Sequence, residues 1–150
     1  MRCAVQVGVA VYVIERETIS DPPMVLMVHH RDDQLWRVPG GGRSPLEDLT
    51  LAARRELAEE VGIDVPPGSL HQFMYDITNH LAYGEWLTFH FSIYSGGRQL
   101  IHPQVMEPKL HDGLTWMSIE EATTNMRNQI FEPTLKGLDR LWSIHKHWGK

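Results

Sequence analysis

Residues 41–63 read GGRSPLEDLTLAARRELAEEVGI. On a helix that advances about 100° per residue, Glu56, Glu59 and Glu60 fall within one arc, so three carboxylates share a face. Like charges so close together repel one another unless a cation relieves them. The stretch therefore predicts a helix whose acidic face holds divalent cations.

The same helix has an apolar side. Ala53, Leu57 and Val61 lie beside the acidic arc and predict a stripe that docks on a hydrophobic core. We expect the helix to begin at Leu46 or Glu47 and to end at about Val61, before Gly62. A docked helix keeps its carboxylates fixed.

The acidic face also has a simpler interpretation, in which Arg55 pairs with Glu59 on a solvated helix. Three glycines before the helix, Gly40, Gly41 and Gly42, favour a functional site instead. Glycine lets the backbone approach a ligand without obstruction from a side chain.

The spacing of these residues resembles the signature of the Nudix hydrolases, whose specified positions are occupied here by Gly41, Glu47, Arg55, Glu56, Glu59, Glu60 and Gly62. The resemblance implies a single α/β/α sandwich domain over residues 1–150, with a mixed sheet flanked by helices. It also implies hydrolysis of a nucleoside diphosphate linked to another group, with Mg²⁺ or Mn²⁺ as the cofactor.

The rest of the chain alternates between strand and helix signals. Apolar runs bounded by turn residues predict strands at Val5–Val11, Met24–Val28, Trp36–Val38, Leu70–Thr78, Trp86–Tyr94 and Leu114–Met117. Ser118 is a candidate helix cap, and a last helix is expected from Glu132 to about His147. Mixed strands with helices on both sides predict an α/β sandwich.

Composition limits the partners and the compartment. A net charge of −5 without a basic tract gives no attraction to a nucleic-acid polymer. Cys3 is the only cysteine, so an intrachain disulfide is excluded and a reducing cytoplasm fits best. Without a signal-type segment or a long apolar run, we expect neither secretion nor a membrane anchor. The resemblance leaves a homodimer open.

The resemblance also assigns roles. It makes Glu56, Glu59 and Glu60 metal ligands together with the carbonyl of Gly40 or Gly41, while Arg55 orients a carboxylate. Mg²⁺ prefers oxygen ligands, which predicts a site without histidine or cysteine. Glu47 is expected to take part from a distance or through water. The general base is either Glu56 or a glutamate outside the motif.

Glu107 is the candidate outside the motif. The segment Glu107-Pro108-Lys109 precedes Trp116 by a spacing similar to that of a Glu-Pro segment in nucleoside-triphosphate members of the family. It would serve as base or metal ligand, or else it is a surface acid. Glu85 and Asp112 are weaker rivals in predicted loops. The histidines have no spacing typical of metal ligands, and we expect them on the surface or in the core. They include His29, His30, His80, His90, His102 and His111.

The substrate class rests on residues 36–41 and the short chain, which resemble MutT-type enzymes that cleave a nucleoside triphosphate to the monophosphate and pyrophosphate. Residues 68–101 lack the proline that ADP-ribose enzymes often carry. A nucleotide-sugar or dinucleoside-polyphosphate hydrolase, with Tyr75 or Tyr83 stacking on adenine, is the alternative. A non-catalytic Nudix-fold nucleotide sensor is the second alternative function.

Base recognition is expected near the last helix. Phe131-Glu132-Pro133 resembles the segment that opens this helix in MutT-type enzymes, where an asparagine in place of Phe131 reads oxidised guanine. Phenylalanine offers stacking without hydrogen bonds, so specificity for 8-oxo-dGTP is not expected. Arg37, Asn128 and Gln129 are candidates for further substrate contacts, and Phe131 is alternatively a core residue.

Overall fold

The structure is a computed structural model that describes residues 5–16, 18, 20–80, 84–95 and 102–145. The strands are β1 (Gln6–Glu15), β2 (Met24–His30), β3 (Trp36–Arg37), β4 (Gly40–Gly42), β5 (His71–His80), β6 (Gly84–Tyr94) and β7 (His111–Ser118). The α-helices are α1 (Leu49–Val61), α2 (Ile119–Thr123) and α3 (Glu132–His145), with a short 3₁₀ turn at Arg127–Gln129.

The strands form one mixed sheet around β1. β1 runs parallel to β6 from Gln6 to Ile14, and its two ends have different antiparallel partners. Gly8–Ala10 pairs with β4, whereas Ile14 and Glu15 pair with β2. β5 lies beside β6, and β7 lies beside β2. The predicted mixed sheet is confirmed.

Alternation along β1 builds a core on each face of the sheet. Val9, Val11 and Val13 point to one face, where they cluster with Leu57 and Val61 of α1. On the other face the buried cluster contains residues of β1, β2, α2 and α3, among them Tyr12, Ile14, Met27, Ile119, Leu138 and Leu141. Side chains two apart on a strand share a face, so one strand serves both layers. The predicted α/β/α sandwich follows.

The observed start of α1 differs from the predicted one. Asp48 caps the helix, because its side chain accepts hydrogen bonds from the amides of Thr50 (2.9 Å) and Leu51 (3.3 Å). The helix therefore begins at Leu49, and Glu47 lies before it. Gly62 ends the helix with a left-handed φ of 72°, as the sequence predicts.

Two further boundaries differ from the prediction. Glu85 and Asp112 were expected in loops, but Glu85 lies in β6 and Asp112 in β7. Both strands are longer than their apolar runs because backbone pairing continues beyond the apolar residues. Asp112 is also bonded to His29 at 2.5 Å. The predicted cap at Ser118 is confirmed, since its hydroxyl accepts the Glu121 amide at 3.0 Å.

A chain of polar groups crosses the α3 side of the sheet. The hydroxyl of Tyr12 lies 2.8 Å from Nδ1 of His90, and Nε2 of His90 lies 2.6 Å from Asp76. Lys136 of α3 approaches the other oxygen of Asp76 at 3.4 Å. Burial lowers the pKa of His90, which favours the neutral ring. The chain ties three strands to α3.

Gly137→Ala is expected to destabilise the protein, although alanine normally favours a helix over glycine by about 1 kcal/mol. A Cβ on Gly137 would overlap the hydroxyl of Tyr12, which is fully buried. Overpacking of this kind costs about 2–3 kcal/mol. Thermal unfolding should show Tm lowered by about 5–10 °C. Ser143→Ala, on the exposed side of α3, is the control and should leave Tm unchanged.

Some sequence predictions concern residues that the structure does not describe. Cys3, Tyr83 and the end of the last helix beyond His145 lie outside the described residues. Within the described part of the chain, no helix has both the length and the apolar character needed to cross a bilayer.

Candidate active site and adjoining cavity

The glycine strand β4 lies directly against the acidic face of α1. The amide of Gly40 donates a 2.6 Å hydrogen bond to Oε2 of Glu60. Gly41 faces Glu56 so closely that a Cβ there would lie 2.6 Å from Oε1 of that carboxylate. Glycine is therefore required at position 41 for the backbone to approach the acidic face.

Arg55 holds the motif together. Its guanidinium makes two bonds to Glu47, at 2.9 and 3.0 Å, and one each to Glu56 (3.0 Å), Glu59 (3.1 Å) and the carbonyl of Gly42 (3.0 Å). These bonds match the five N–H donors of arginine. The simple Arg55–Glu59 pair is thus present, but as one bond within a network that fixes three carboxylates.

The loop before β7 brings a fourth carboxylate to α1. Its backbone is tied to the end of the helix, because Gln104 donates to the carbonyl of Val61 (3.0 Å) and Met106 to that of Glu60 (3.1 Å). Glu107 follows directly and lies beside Glu60. One ligand atom each from Glu60, Glu107 and His111 lies within 4.8 Å of the other two.

The electrostatics of this cluster favour a bound cation. Burial above all, with the charges of Glu56 and Glu107, raises the pKa of Glu60 to about 8 against the opposing hydrogen bond from Gly40. Burial also raises the pKa of Glu56. Hydrogen bonds from Arg55 lower the pKa of Glu47, which lies farther out. A divalent cation stabilises the ionised forms of neighbouring carboxylates whose burial and mutual repulsion disfavour ionisation, and carboxylate oxygens are suitable ligands for such a cation.

A cavity of about 250 Å³ opens beside the cluster. It shares Gly40 and Gly41 with the acidic site, and its other lining residues are Gly8, Val9, Ala10, Arg37, Val38, Thr78, Trp86, Thr88, Phe131, Pro133 and Thr134. The two aromatic rings and the glycine strand give it broad apolar surfaces. Such surfaces accept a flat ring.

Backbone contacts fix Phe131 in the cavity wall. Its amide donates to the carbonyl of Trp36 at 2.9 Å. The guanidinium of Arg37 lies 3.9 Å from the centre of the Phe131 ring, in cation–π contact, and is paired with Asp33. Phe131 is partly buried, so it takes part in the wall and is not a pure core residue.

The structure brings most of the predicted ligands together and leaves others apart. Glu56 and Glu60 have side chains 13% and 11% exposed, whereas Glu59 is on the outer side at 53%. Asn128 and Gln129 are exposed in the 3₁₀ turn and do not line the cavity. Tyr75 is 64% exposed and also lies outside the lining.

Two residues of the site were missed from sequence. We expected no histidine among the oxygen ligands, yet His111 lies in the cluster, and Trp86 lines the cavity. The sequence feature that could have indicated Trp86 is its position two residues before Thr88 on the same strand, which places both side chains on one face of the sheet. For His111 the signal was its place four residues after Glu107, which resembles no motif.

Metal binding is expected to release about one proton at pH 7. With a pKa of about 8, Glu60 is mostly protonated at that pH and must ionise to bind a cation. Metal affinity should therefore rise with pH and level off above about 8. Calorimetric titration in buffers of different ionisation enthalpy counts the protons. A count near zero at pH 7 would contradict the raised pKa, and wild-type protein above pH 9 is the control, where release should vanish.

Comparison with known proteins gives a consistent family. An RNA pyrophosphohydrolase from Sphingopyxis alaskensis is 38% identical over 58 residues, which cover 35% of this chain and 37% of that protein. The chain thus aligns with little more than a third of the length of this relative. Two solved structures share the fold: a MutT NUDIX hydrolase from Burkholderia pseudomallei (TM-score 0.74, 18% identity, 91% of this chain and 97% of the other) and the E. coli dihydroneopterin triphosphate pyrophosphohydrolase (0.72, 19%, 89% and 92%).

A family model decides the assignment. The NUDIX domain model matches residues 4–136, which include every residue of the acidic cluster and every described strand of the sheet. Its span agrees with the fold and with the arrangement of glycines, arginine and glutamates described above. The chain belongs to the NUDIX domain family.

Proposed function

We propose that this NUDIX-domain protein is a hydrolase that cleaves (deoxy)nucleoside triphosphates to the monophosphate and pyrophosphate. The observation that carries the proposal is the cavity beside the acidic cluster, separated from it only by Gly40 and Gly41. A base held in the cavity would direct its phosphate chain across the glycine strand toward Glu56 and Glu60.

The size and lining of the cavity favour a single nucleoside. Its volume of about 250 Å³ is below the range of roughly 300–1,000 Å³ typical of pockets for drug-sized ligands. Trp86 and Phe131 can stack on any base, so discrimination between bases should be modest. Arg37 places a positive charge at the rim for a phosphate or a base carbonyl.

The acidic residues divide the chemistry. Glu56, Glu59, Glu60 and Glu107, with the carbonyl of Gly40 or Gly41, would hold Mg²⁺ or Mn²⁺, and the bound cation would neutralise phosphate oxygens. Arg55 keeps Glu47, Glu56 and Glu59 in place by the bonds described above. Glu56 or Glu107 would accept the proton of the attacking water.

The test is product analysis by chromatography with Mg²⁺ and a panel of substrates. It includes the common ribo- and deoxyribonucleoside triphosphates, 8-oxo-dGTP, ADP-ribose, GDP-mannose, diadenosine polyphosphates and a 5′-triphosphorylated RNA oligonucleotide. Monophosphate and pyrophosphate from free triphosphates are expected. Activity confined to sugar nucleotides, dinucleotides or RNA would overturn the substrate class and keep the family.

A matched pair of variants locates the base. Trp86→Ala should raise KM for a nucleoside triphosphate by about tenfold or more, because base–aromatic stacking contributes about 1–3 kcal/mol. Trp142→Ala, in α3 away from the cavity lining, is the control for loss of an indole. An unchanged KM in Trp86→Ala would place the base elsewhere.

Cytoplasmic location and a homodimer stay predictions.

A further inference from the structure

His111 is the one described histidine whose ring enters the acidic cluster. The residue is 2% exposed, and its Nε2 lies 3.8 Å from Oε1 of Glu60. The other oxygen of Glu60 already accepts the Gly40 amide, so Oε1 is the oxygen that faces the imidazole. The ring is thus aimed at the carboxylates.

Two backbone hydrogen bonds and one ring contact fix this position. The amide of His111 donates to the carbonyl of Glu107 at 3.0 Å, and the amide of Met106 donates to that of Glu60 at 3.1 Å. The ring of His30 lies edge-on to that of His111, with centroids 5.5 Å apart. The imidazole is therefore held beside Glu60 and Glu107 by three separate contacts.

Hydrogen bonds do not compensate for the burial of this ring. Nδ1 of His111 is buried without a hydrogen-bond partner among the described residues, and 3.8 Å from Nε2 to Glu60 is too long for a hydrogen bond. A buried polar group without a partner is destabilising by about 1–3 kcal/mol. A bond from Nε2 to a cation would stabilise the buried ring through its other nitrogen, and Nδ1 would then carry the proton.

We propose that His111 is a ligand of the cation bound by Glu60 and Glu107, and that this position prefers a transition-metal ion such as Mn²⁺ over Mg²⁺. The inference rests on the proposed metal-dependent function. Two atoms bound to an octahedral ion at about 2.1 Å lie about 3 Å apart if they are adjacent and about 4.2 Å apart if they are opposite. The distance of 3.8 Å between Glu60 and His111 lies between these values, so a small side-chain movement would bring both atoms to one ion.

Ligand chemistry gives the preference. Mg²⁺ binds oxygen ligands and keeps several of its waters, whereas imidazole nitrogen suits Zn²⁺, Fe²⁺ and Ni²⁺ best and is accepted by Mn²⁺ more readily than by Mg²⁺. A mixed set of two carboxylates and one imidazole therefore favours Mn²⁺ over Mg²⁺ relative to a set of carboxylates alone. The remaining glutamates, Glu56 and Glu59, offer oxygen only and carry no such preference.

The experiment is electron spin-echo envelope modulation of Mn²⁺ bound to the wild-type protein, without nucleotide. Nitrogen modulation from an imidazole is expected, and incorporation of ¹⁵N-histidine should change its frequencies. A bound Mn²⁺ without nitrogen modulation would overturn the proposal. Because this measurement needs no variant, poor folding of a substituted protein cannot mask the result.

Two variants assign the signal to a residue. His111→Leu should abolish the nitrogen modulation and weaken Mn²⁺ binding by about tenfold or more, with a change of less than about threefold for Mg²⁺. His30→Leu, which removes the neighbouring ring, should retain the modulation. Loss in His30→Leu but not in His111→Leu would overturn the assignment.

This outcome is separable from the outcome of the substrate screen. If Mn²⁺ is bound by nitrogen but the protein does not hydrolyse triphosphates, the role of His111 is supported and the substrate class is refuted. If triphosphates are hydrolysed but no nitrogen modulation is seen, the substrate class is supported and the role of His111 is refuted.

Discussion

Glu56→Gln should lower kcat by about three orders of magnitude. Glu56 lies between Arg55 and the glycine strand. It accepts a hydrogen bond from Arg55 at 3.0 Å and faces Gly41, where the absence of a Cβ makes room for its carboxylate. An amide cannot supply the negative charge that a cation on the phosphates requires. About 4 kcal/mol of transition-state stabilisation would be lost, and each 1.4 kcal/mol is tenfold in rate.

The fold should survive this substitution. Burial raises the pKa of Glu56, so the folded protein without metal already disfavours the charged form. Glutamine is neutral and has nearly the same shape, and Tm measured without metal should be equal to or above that of the wild type. The control is Glu120→Gln, an identical change on the exposed side of α2, which should leave both kcat and Tm unchanged.

The joint measurement of kcat and Tm separates the two causes of inactivity. Loss of turnover with an intact Tm supports a role of Glu56 in metal binding or catalysis. Wild-type turnover in Glu56→Gln would refute that role and direct attention to Glu107 and Glu60.

Gly41→Ala is the second substitution with a large expected effect, although it adds only one methyl group. The new Cβ would lie 2.6–2.7 Å from the carboxylate atoms of Glu56, closer than real Cβ atoms approach other groups. The carboxylate must rotate away, and it would then lose its bond to Arg55. We expect metal affinity to fall by about a hundredfold and kcat to fall with it.

Gly42→Ala supplies a matched control from the next residue of the same strand. A Cβ there would meet only the ring of Trp86, at 3.6 Å, which is an ordinary contact. Metal affinity, measured by calorimetry, should stay within about threefold of the wild type. Equal losses in both variants would mean that the strand tolerates no side chain at all, and the specific conflict with Glu56 would be refuted.

The helix and its neighbours were predictable from sequence because the determinants are local. Helical periodicity brings Glu56 and Glu60 onto one face, and Gly62 ends the helix through its left-handed φ. The start was misplaced because Asp48 caps the helix, which therefore begins at Leu49, two residues after Glu47. The prediction of Glu107 at the site came from resemblance to a family pattern, and the structure places it beside Glu60.

The remaining parts of the site depend on contacts between distant segments. His111 reaches Glu60 only because the preceding loop is bonded to the end of α1, 50 residues earlier in the chain. Trp86 reaches the cavity because β6 runs parallel to β1, with Trp86 beside Gln6. Neither contact leaves a short-range pattern in the sequence. Asn128 and Gln129 were suggested by proximity to Phe131 along the chain, a weaker guide than strand pairing.

Among the described residues, Gly40 and Gly41 line the cavity and also contact the acidic cluster. Residues that differ between the two regions can therefore accumulate changes separately. Under the proposed function, substitutions at Trp86, Phe131 or Thr134 should alter the base that the protein accepts, while the residues bonded to Arg55 stay untouched. A library confined to the cavity wall should accordingly yield variants with new base preferences and an unchanged acidic cluster, which makes this chain a practical starting point for directed evolution.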